Sequence, residues 1–282
     1  MRNARAGVAA AAIAVVLVCP RPAGAYVSDE SFDRNKFSDS VNVSNQWLPL
    51  TPGLETVLDG TVTDADGSTP HQVVVTVSDV TKMIDGVRAL VVLERDYGDG
   101  ALEEEELAFV AQDADETVWN MGEYPEEYED GKFAGAPSTW IPGNEKARAG
   151  IHMQATPEVG TPSYLQGYAP QIGFEDRGQV SKADQKVCVK TGCYTDVIVV
   201  DEWNPAEQPA DGHQFKYHAP GVGVVQVRGE GGEEQENLEL ISHRTISAQE
   251  LGKIRARVLE LDKRAYTQAK SYGNTAPAEP MA

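Results

Sequence analysis

The stretch Gln72–Val80, QVVVTVSDV, decides the fold class of this chain. Positions 73, 75 and 77 fall on one face of an extended chain, and positions 74, 76 and 78 fall on the other. Valine and threonine dominate both sets, and these β-branched residues fit a pleated, half-buried surface. The pattern therefore predicts a β-strand.

Similar runs follow on the C-terminal side, separated by turn dipeptides. Asp66-Gly67, Asp85-Gly86 and Asp99-Gly100 favour two-residue hairpins, because both positions of such a turn need positive φ. The chain is therefore predicted to be mainly β, an antiparallel meander curved into a half-barrel or open barrel. The predicted strands are Gln72–Val80, Val87–Glu94, Leu102–Ala111, Thr117–Met121, Gly178–Val189, Cys193–Trp203, His213–His218, Gly223–Arg228 and Glu236–Ile246.

Between Glu123 and Phe174 the strand pattern fades, and prolines and glycines accumulate. Connections of this length inside a compact domain are usually functional or wrap an edge of the sheet. We therefore expect a long excursion from the meander here.

A helix is predicted at the C-terminal end. Ser247 with Glu250 forms a capping box, and apolar residues then recur at helical spacing from Leu251 to Ala265. Residues 247–270 are predicted to pack this apolar stripe on the sheet, and residues 271–282, rich in Ala and Pro, to form a disordered tail. The opposite face of the helix is basic, which leaves a helix on a membrane surface as the alternative.

The first 25 residues have the pattern of a secretory signal peptide. Arg2 and Arg5 precede the apolar run Val8–Val18, and Ala23-Gly24-Ala25 is a cleavage site of the A-x-A type. We expect cleavage near Ala25, a secreted or extracellular location, and one β-rich domain over residues 26–246. Lipidation at Cys19 is the alternative, although Val18 stands where a small residue is preferred.

The chain is strongly acidic, with a formal net charge of −20. This charge repels nucleic acid and anionic lipid, so neither is an expected partner. No stretch after the signal peptide is predicted to span a membrane. An acidic surface suits a secreted protein that must stay soluble, and also one that binds cations or basic partners.

Beyond the signal peptide the chain has two cysteines, Cys188 and Cys193, in VCVKTGCY. An oxidising compartment and an even count favour a disulfide. The spacing predicts a staple across a hairpin whose turn contains Lys190-Thr191-Gly192.

The block Phe109–Phe133 combines aromatic rings with many carboxylates, as expected of a surface that faces a ligand, an ion or a partner. No catalytic nucleophile signature is present in the chain. The first functional hypothesis is a non-enzymatic binding protein for a small apolar or aromatic ligand or an envelope component. The ring residues predicted to line or rim its site are Trp119, Tyr124, Tyr128, Tyr164, Tyr168 and Tyr217.

Carboxylates in the same block support two alternatives. A hydrolase or lyase acting on a polymer needs two carboxyl groups about 5 to 10 Å apart, one with a raised pKa; the candidates are Glu123, Glu126, Glu127, Glu129 and Asp130. A Ca²⁺-stabilised structural protein would use carboxylate oxygens from loops; the candidates are Asp113, Asp115 and Glu116. No other cofactor is predicted.

The chain resembles a family of secreted bacterial proteins of uncharacterised function. Its members carry a phrase like AQDxxGNVWYxGE followed by YEDGK, which corresponds here to Ala111–Glu123 and Tyr128–Lys132. The resemblance extends from Trp47–Gly53 to Tyr217–Gly223, and it implies a β-rich envelope protein. This chain departs at Glu116-Thr117, where the family has Gly-Asn, which puts the turn geometry in doubt since Gly supplies positive φ. A second departure is at His218, where the family has Tyr.

Overall fold

The computed structural model describes residues 32–205 and 212–281. The predicted signal peptide and cleavage site lie outside these residues. Short 3₁₀ helices cover Arg34–Lys36 and Lys270–Asn274, and one α-helix, α1, spans Ala248–Gln268. The strands are β1 (Leu54–Asp64), β2 (Gly67–Ile84), β3 (Val87–Gly98), β4 (Ala101–Gln112), β5 (Val118–Glu129), β6 (Lys132–Gly135), β7 (Arg148–Met153), β8 (Tyr164–Ala169), β9 (Phe174–Val189), β10 (Gly192–Trp203), β11 (His213–Ala219), β12 (Gly223–Glu230), β13 (Gln235–Thr245) and β14 (Glu279–Pro280).

Twelve of the described strands form a closed antiparallel barrel. Their order is β1-β13-β12-β11-β10-β9-β8-β7-β5-β4-β3-β2, and β2 returns to β1. The prediction of a mainly β, antiparallel chain with a C-terminal helix is confirmed, but the half-barrel or open barrel is wrong. β1 closes the ring, since it pairs with β2 along one edge and with β13 along the other. This strand was not predicted, because Asp59-Gly60 interrupts its apolar pattern.

Two of the three predicted Asp-Gly hairpins have the expected turn geometry. Asp85 and Gly86 have φ of 46° and 82°, and Asp99 and Gly100 have φ of 48° and 79°. The third turn, at Asp66-Gly67, has a different geometry. It is held by the Asp64 carboxylate, which accepts the backbone N–H groups of Asp66 and Gly67.

The proline-rich stretch contains more sheet than its sequence predicts. β5 continues to Glu129 through a bulge at Gly122, whose φ is 107°. β7 and β8 follow within the same stretch. In the turn before β5, Glu116 adopts φ of 69° where the resembling family has Gly, so the left-handed turn is kept with a non-glycine residue.

Helix α1 packs on the outside of the barrel over β2, β3 and β4. The predicted capping box is present, with Ser247 and Glu250 each accepting a backbone N–H from the other. Val258, Leu261 and Ala265 are buried against the sheet. Among the described residues no helix is both long and apolar enough to cross a membrane.

The arginines of α1 also contact the barrel. Arg255 pairs with Asp79, Arg257 with Glu105, and Arg264 with the fully buried Glu126. Three arginines of the basic face are therefore held in ion pairs with the sheet.

The segment after α1 is packed against the barrel rather than disordered, so the predicted tail is corrected for residues 271–281; Ala282 lies outside the described residues. Tyr272 is fully buried and its hydroxyl donates to Asp262 at 2.7 Å. Lys82, also fully buried, donates to the same carboxylate at 2.7 Å and to the Ala276 carbonyl at 2.7 Å. β14 then pairs with β2. These buried polar groups hold the segment, a constraint that its Ala- and Pro-rich composition does not reveal.

Candidate functional site

The barrel encloses a space, here called the lumen, whose lining follows from strand alternation. Successive side chains of a strand point to opposite faces, and Glu105 of β4 points outward, since it pairs with Arg257 of α1. Glu104 and Glu106 therefore point into the lumen. A closed barrel of eight strands is filled by side chains or one small ligand, whereas sixteen or more leave a channel. Twelve strands lie between these two cases.

Carboxylates face one another across the strands on one side of the lumen. Glu94 of β3 lies opposite Glu106 of β4, and Asp96 lies opposite Glu104. Glu123 of β5 lies opposite Ala108, next to the Glu106 position. Directly opposite side chains have Cβ atoms about 5 Å apart, where like charges are destabilising. We call Glu94, Asp96, Glu104, Glu106 and Glu123 the acidic wall.

Burial raises the pKa of every member of the acidic wall. For Glu104 the neighbouring carboxylates of Glu94 and Glu123 add to this effect, and its pKa rises to about 8. The pKa of Glu106 is raised well above its usual range by burial and then by Glu123. Glu104 therefore keeps its proton at neutral pH, when a free glutamate has lost it.

The bulge at Gly122 aims Glu123 into the lumen and supplies its partners. The Asn120 side-chain amide donates to Glu123 Oε1 at 2.6 Å, and the Trp140 indole N–H donates to Oε2 at 3.0 Å. A Cβ on Gly122 would lie 2.7 Å from the Trp140 carbonyl oxygen. The close approach of β5 to the segment that contains Trp140 therefore requires glycine.

A basic residue and amides stand on the opposite side of the lumen. Lys216 of β11 contacts Glu202 of β10 at 2.8 Å. Burial alone would raise the pKa of Glu202, but the Lys216 ammonium outweighs it and lowers that pKa overall. The Gln166 amide of β8 donates to Glu202 at 2.9 Å. This pair is thus charged, in contrast to the acidic wall.

Two histidines beside this pair are neutral. Burial lowers the pKa of His152 and of His218 to about 4. His218 Nδ1 lies 3.1 Å from the Trp47 carbonyl oxygen, which can only accept, so the proton is on Nδ1 and Nε2 is an acceptor. Within the described residues, His218 Nε2 and Gln166 Oε1 have no hydrogen-bond partner, although the two residues are only 2% and 7% exposed.

The lumen is accessible to water despite this enclosure. The side chains of Lys216 and Glu202 keep 30% and 12% of their accessible surface, and the members of the acidic wall are half-buried. Because these residues point toward the barrel axis, the accessible surface lies inside the lumen.

At the end of the barrel near the β9–β10 hairpin, the lumen is lined and covered by apolar side chains. Leu58, Val73 and Leu240, on strands β1, β2 and β13, form one buried cluster with Val187 and Val197 of the β9–β10 hairpin. This hairpin carries the predicted disulfide, Cys188–Cys193, which is confirmed. Residues 43–50 cover the same end, where the Gln46 carbonyl accepts the Gly221 N–H at 2.8 Å.

Of the predicted ring residues, only Tyr164 is at a lumen-facing position, because it lies opposite Gly178, which in turn lies opposite Glu202. Trp119 donates to Asp113 at 2.9 Å and packs against Phe32 and Phe37 on the outside of the barrel. Tyr124 and Tyr128 donate to Glu126 under α1. Tyr164 is buried in the main core, Tyr168 lies under the Arg148 guanidinium at 4.7 Å, and Tyr217 alternates outward between Lys216 and His218.

The predicted carboxylates are also dispersed. Glu123 belongs to the acidic wall, and Glu127 lies opposite Glu104 toward the barrel mouth. Glu126 is bound to Arg264 outside the barrel, while Glu129 and Asp130 are exposed at the β5–β6 turn. Glu123 and, nearer the mouth, Glu127 are thus the predicted acids whose neighbours are other lumen carboxylates.

The predicted Ca²⁺ ligands have other partners. Asp113 accepts the backbone N–H groups of Asp115 and Thr117 as well as the Trp119 indole. Asp115 pairs with Lys36 at 2.5 Å, and Glu116 is exposed. Across residues 32–205 and 212–281 no group of three or more His, Cys, Asp or Glu side chains is arranged to hold a metal ion.

Sequence reasoning missed most of the lumen. Glu94, Asp96, Glu104, Glu106, Glu202 and Lys216 were not among the predicted site residues. One signal was available: four consecutive glutamates, 103–106, within a predicted strand must place two acids on each face.

Fold and lumen together define a closed antiparallel β-barrel with a polar, water-accessible interior. No known protein family profile matches this chain, and no curated protein matches it. Two solved structures are similar to it, a protein assigned as exported with a YmcC-like fold from Bacteroides fragilis and one assigned as a lipoprotein from Parabacteroides distasonis. Each has 14% identity and a TM-score of 0.33, over 71% of this chain and 99% of the other. At these values neither structure bears on the function of this chain.

Proposed function

We propose that this chain is a secreted, non-enzymatic binding protein of the cell envelope or extracellular space that holds a small ligand in the barrel lumen. The observation that carries the proposal is the accessible surface of Lys216 and Glu202 inside a closed barrel. The predicted signal peptide and the Cys188–Cys193 disulfide support a location outside the cytoplasm.

The ligand favoured by the geometry is polar. The ring residues predict an apolar or aromatic ligand, but five of the six rings pack outside the lumen, and the sixth, Tyr164, is buried in the main core. The groups that face the lumen are carboxyls, an ammonium, an amide and imidazoles.

Filling the lumen tests the proposal. Ala108 is half-buried and lies in a lumen-facing row between Val92 and Glu123, so Ala108→Trp places an indole in the binding space. Ala134→Trp, on the exposed strand β6, is the matched control. Native mass spectrometry of the secreted protein should show a small-molecule adduct in the wild type and in A134W but not in A108W. An adduct of equal occupancy in A108W, or none in any form together with no stabilisation by a broad small-molecule library, would overturn the proposal.

A second function is favoured by one observation: Glu123 lies beside Glu106 on the neighbouring strand, and burial followed by the Glu123 carboxylate raises the pKa of Glu106. A polymer-cleaving hydrolase or lyase uses such a carboxyl pair, one protonated and one ionised. The discriminating assay is release of reducing ends from a panel of polysaccharides. Turnover that is lost in both Glu106→Gln and Glu123→Gln would establish the enzyme; its absence, with the adduct present, would leave the binding protein.

A further inference from the structure

We propose that the ligand of the lumen is a small organic cation, a molecule bearing amine or guanidine N–H donors, held between the acidic wall and the neutral acceptors of the opposite side. This inference rests on the proposed function and names the ligand class of the same site.

The first step concerns charge. Glu94–Glu106 and Asp96–Glu104 are acid pairs placed directly across neighbouring strands, an arrangement that costs stability without a cation between them. Lys216, the ammonium on the far side, is already paired with Glu202 at 2.8 Å. Among the described residues the acids of the wall therefore have no ion-pair partner, and a ligand cation would stabilise their ionised forms.

The second step is independent of the acids and concerns hydrogen bonding. His218 Nε2 and Gln166 Oε1 are buried acceptors without a partner in the described residues. Both atoms are fixed as acceptors by the hydrogen bond that the rest of the side chain makes. His218 Nδ1 donates to the Trp47 carbonyl, and Gln166 Nε2 donates to Glu202. A buried acceptor left unpaired is costly. These positions call for N–H or O–H donors from a bound molecule.

The third step excludes the simplest competitor. A bare divalent cation needs several oxygen or nitrogen ligands converging on one point, and no such group of His, Cys, Asp or Glu is present in the described residues. An extended cation with several donors instead suits acids spread along three strands, β3, β4 and β5.

Protons provide a signature. Glu104 of the acidic wall holds its proton at neutral pH because burial raises its pKa. A cation beside it favours the ionised form, so binding should release protons to the buffer. A neutral hydrogen-bonding ligand would release none.

The experiment is titration calorimetry of the secreted protein at pH 7.5 and about 150 mM salt, a concentration that screens attraction to the acidic outer surface. The probes are 1,4-diaminobutane, 1,4-butanediol and succinate, with two buffers of different ionisation enthalpy. We expect diaminobutane to bind and to release protons, and the diol and the diacid to bind at least about tenfold more weakly, since a charge-assisted hydrogen bond contributes more than a neutral one.

Variants locate the binding. Glu106→Gln and Glu123→Gln should each weaken diaminobutane binding by about tenfold or more, and Ala108→Trp should abolish it. Glu260→Gln removes a carboxylate from the exposed face of α1 and should leave binding unchanged. A raised or unchanged melting temperature of E106Q shows that its loss of binding is not unfolding.

Each other result overturns the inference. Equal binding of the diol and the diamine would mean that charge is not recognised, and unchanged diamine binding in A108W or in both glutamine variants would place the cation outside the lumen. A native adduct that is lost in A108W while no diamine binds would leave the proposed function standing with a non-cationic ligand. If neither a native adduct nor diamine binding is found, the proposed function and the proposed ligand class are both overturned.

Discussion

The two faces of strand β4 place the same residue type in opposite surroundings. Glu105, on the outer face, is 4% exposed and accepts the Nε–H and a terminal N–H of the Arg257 guanidinium of α1. Glu104 and Glu106, one residue away on either side, point into the lumen and face other acids on the neighbouring strands β3 and β5. The outward Glu105 is thus paired with a basic residue, whereas the acids of the acidic wall have no ion pair among the described residues. Residues kept at a cost in stability are characteristic of functional sites, and this contrast separates the carboxylates that hold the fold from those available to a ligand.

The strongest break of the outer pairing is Arg264→Met. Glu126 is fully buried and depends on Arg264 for its charge partner, so the variant leaves a carboxylate buried beside two tyrosine hydroxyls. Removing one partner of a buried pair costs about 3 kcal/mol or more, which urea denaturation should record. The double variant R264M/E126Q should recover part of the loss. A loss below about 1 kcal/mol in R264M would mean that water reaches Glu126.

A matched pair of substitutions then tests the contrast by its sign. Glu105→Gln should lower the free energy of unfolding at pH 7 by about 1–2 kcal/mol, because it weakens the contact with Arg257. Glu106→Gln should raise it by about 1 kcal/mol, because a glutamine needs no proton on folding and faces Glu94 without like charge. Both are measured by chemical denaturation in one buffer. Effects of the same sign would show that the two faces of β4 are equivalent.

The difference between the two faces also marks the limit of sequence prediction here. Alternation in Gln72–Val80, the Asp85-Gly86 and Asp99-Gly100 turns, the capping box and the Cys188–Cys193 staple act between near neighbours, and the sequence pattern reveals them. Closure of the barrel depends on β1 pairing with a strand about 180 residues away, and no local pattern encodes that. The two faces of β4 become an inner and an outer face only when the barrel closes. The strand itself was predicted correctly, but the lumen could not be predicted from it.

The pH dependence of stability tests the state of the lumen-facing acids of β4. The pKa of Glu104 is raised from 4.5 to about 8. An acid whose pKa is higher in the folded state binds a proton on folding, so stability is lost as the pH rises from about 4.5 to about 8. With water in the lumen screening the charges, we expect about 1 kcal/mol from this residue. Glu104→Gln should flatten the profile between pH 5 and pH 8 (roughly the interval set by these two values), and an unchanged slope would contradict the raised pKa.

The smallest effect is expected at an acid that belongs to neither group. Asp115 pairs with Lys36 where both side chains are largely exposed, at 64% and 48%, and such pairs contribute less than about 0.5 kcal/mol. Asp115→Asn should therefore leave the unfolding midpoint nearly unchanged. It also tests the predicted Ca²⁺ site, since the Asp113 oxygens already accept three protein donors. Any shift of the melting temperature by Ca²⁺ should be the same in D115N and wild type. A shift confined to wild type would place the ion at this turn. The turn acids would then differ both from the paired outer acids and from the acidic wall, because they would bind a ligand of their own outside the barrel.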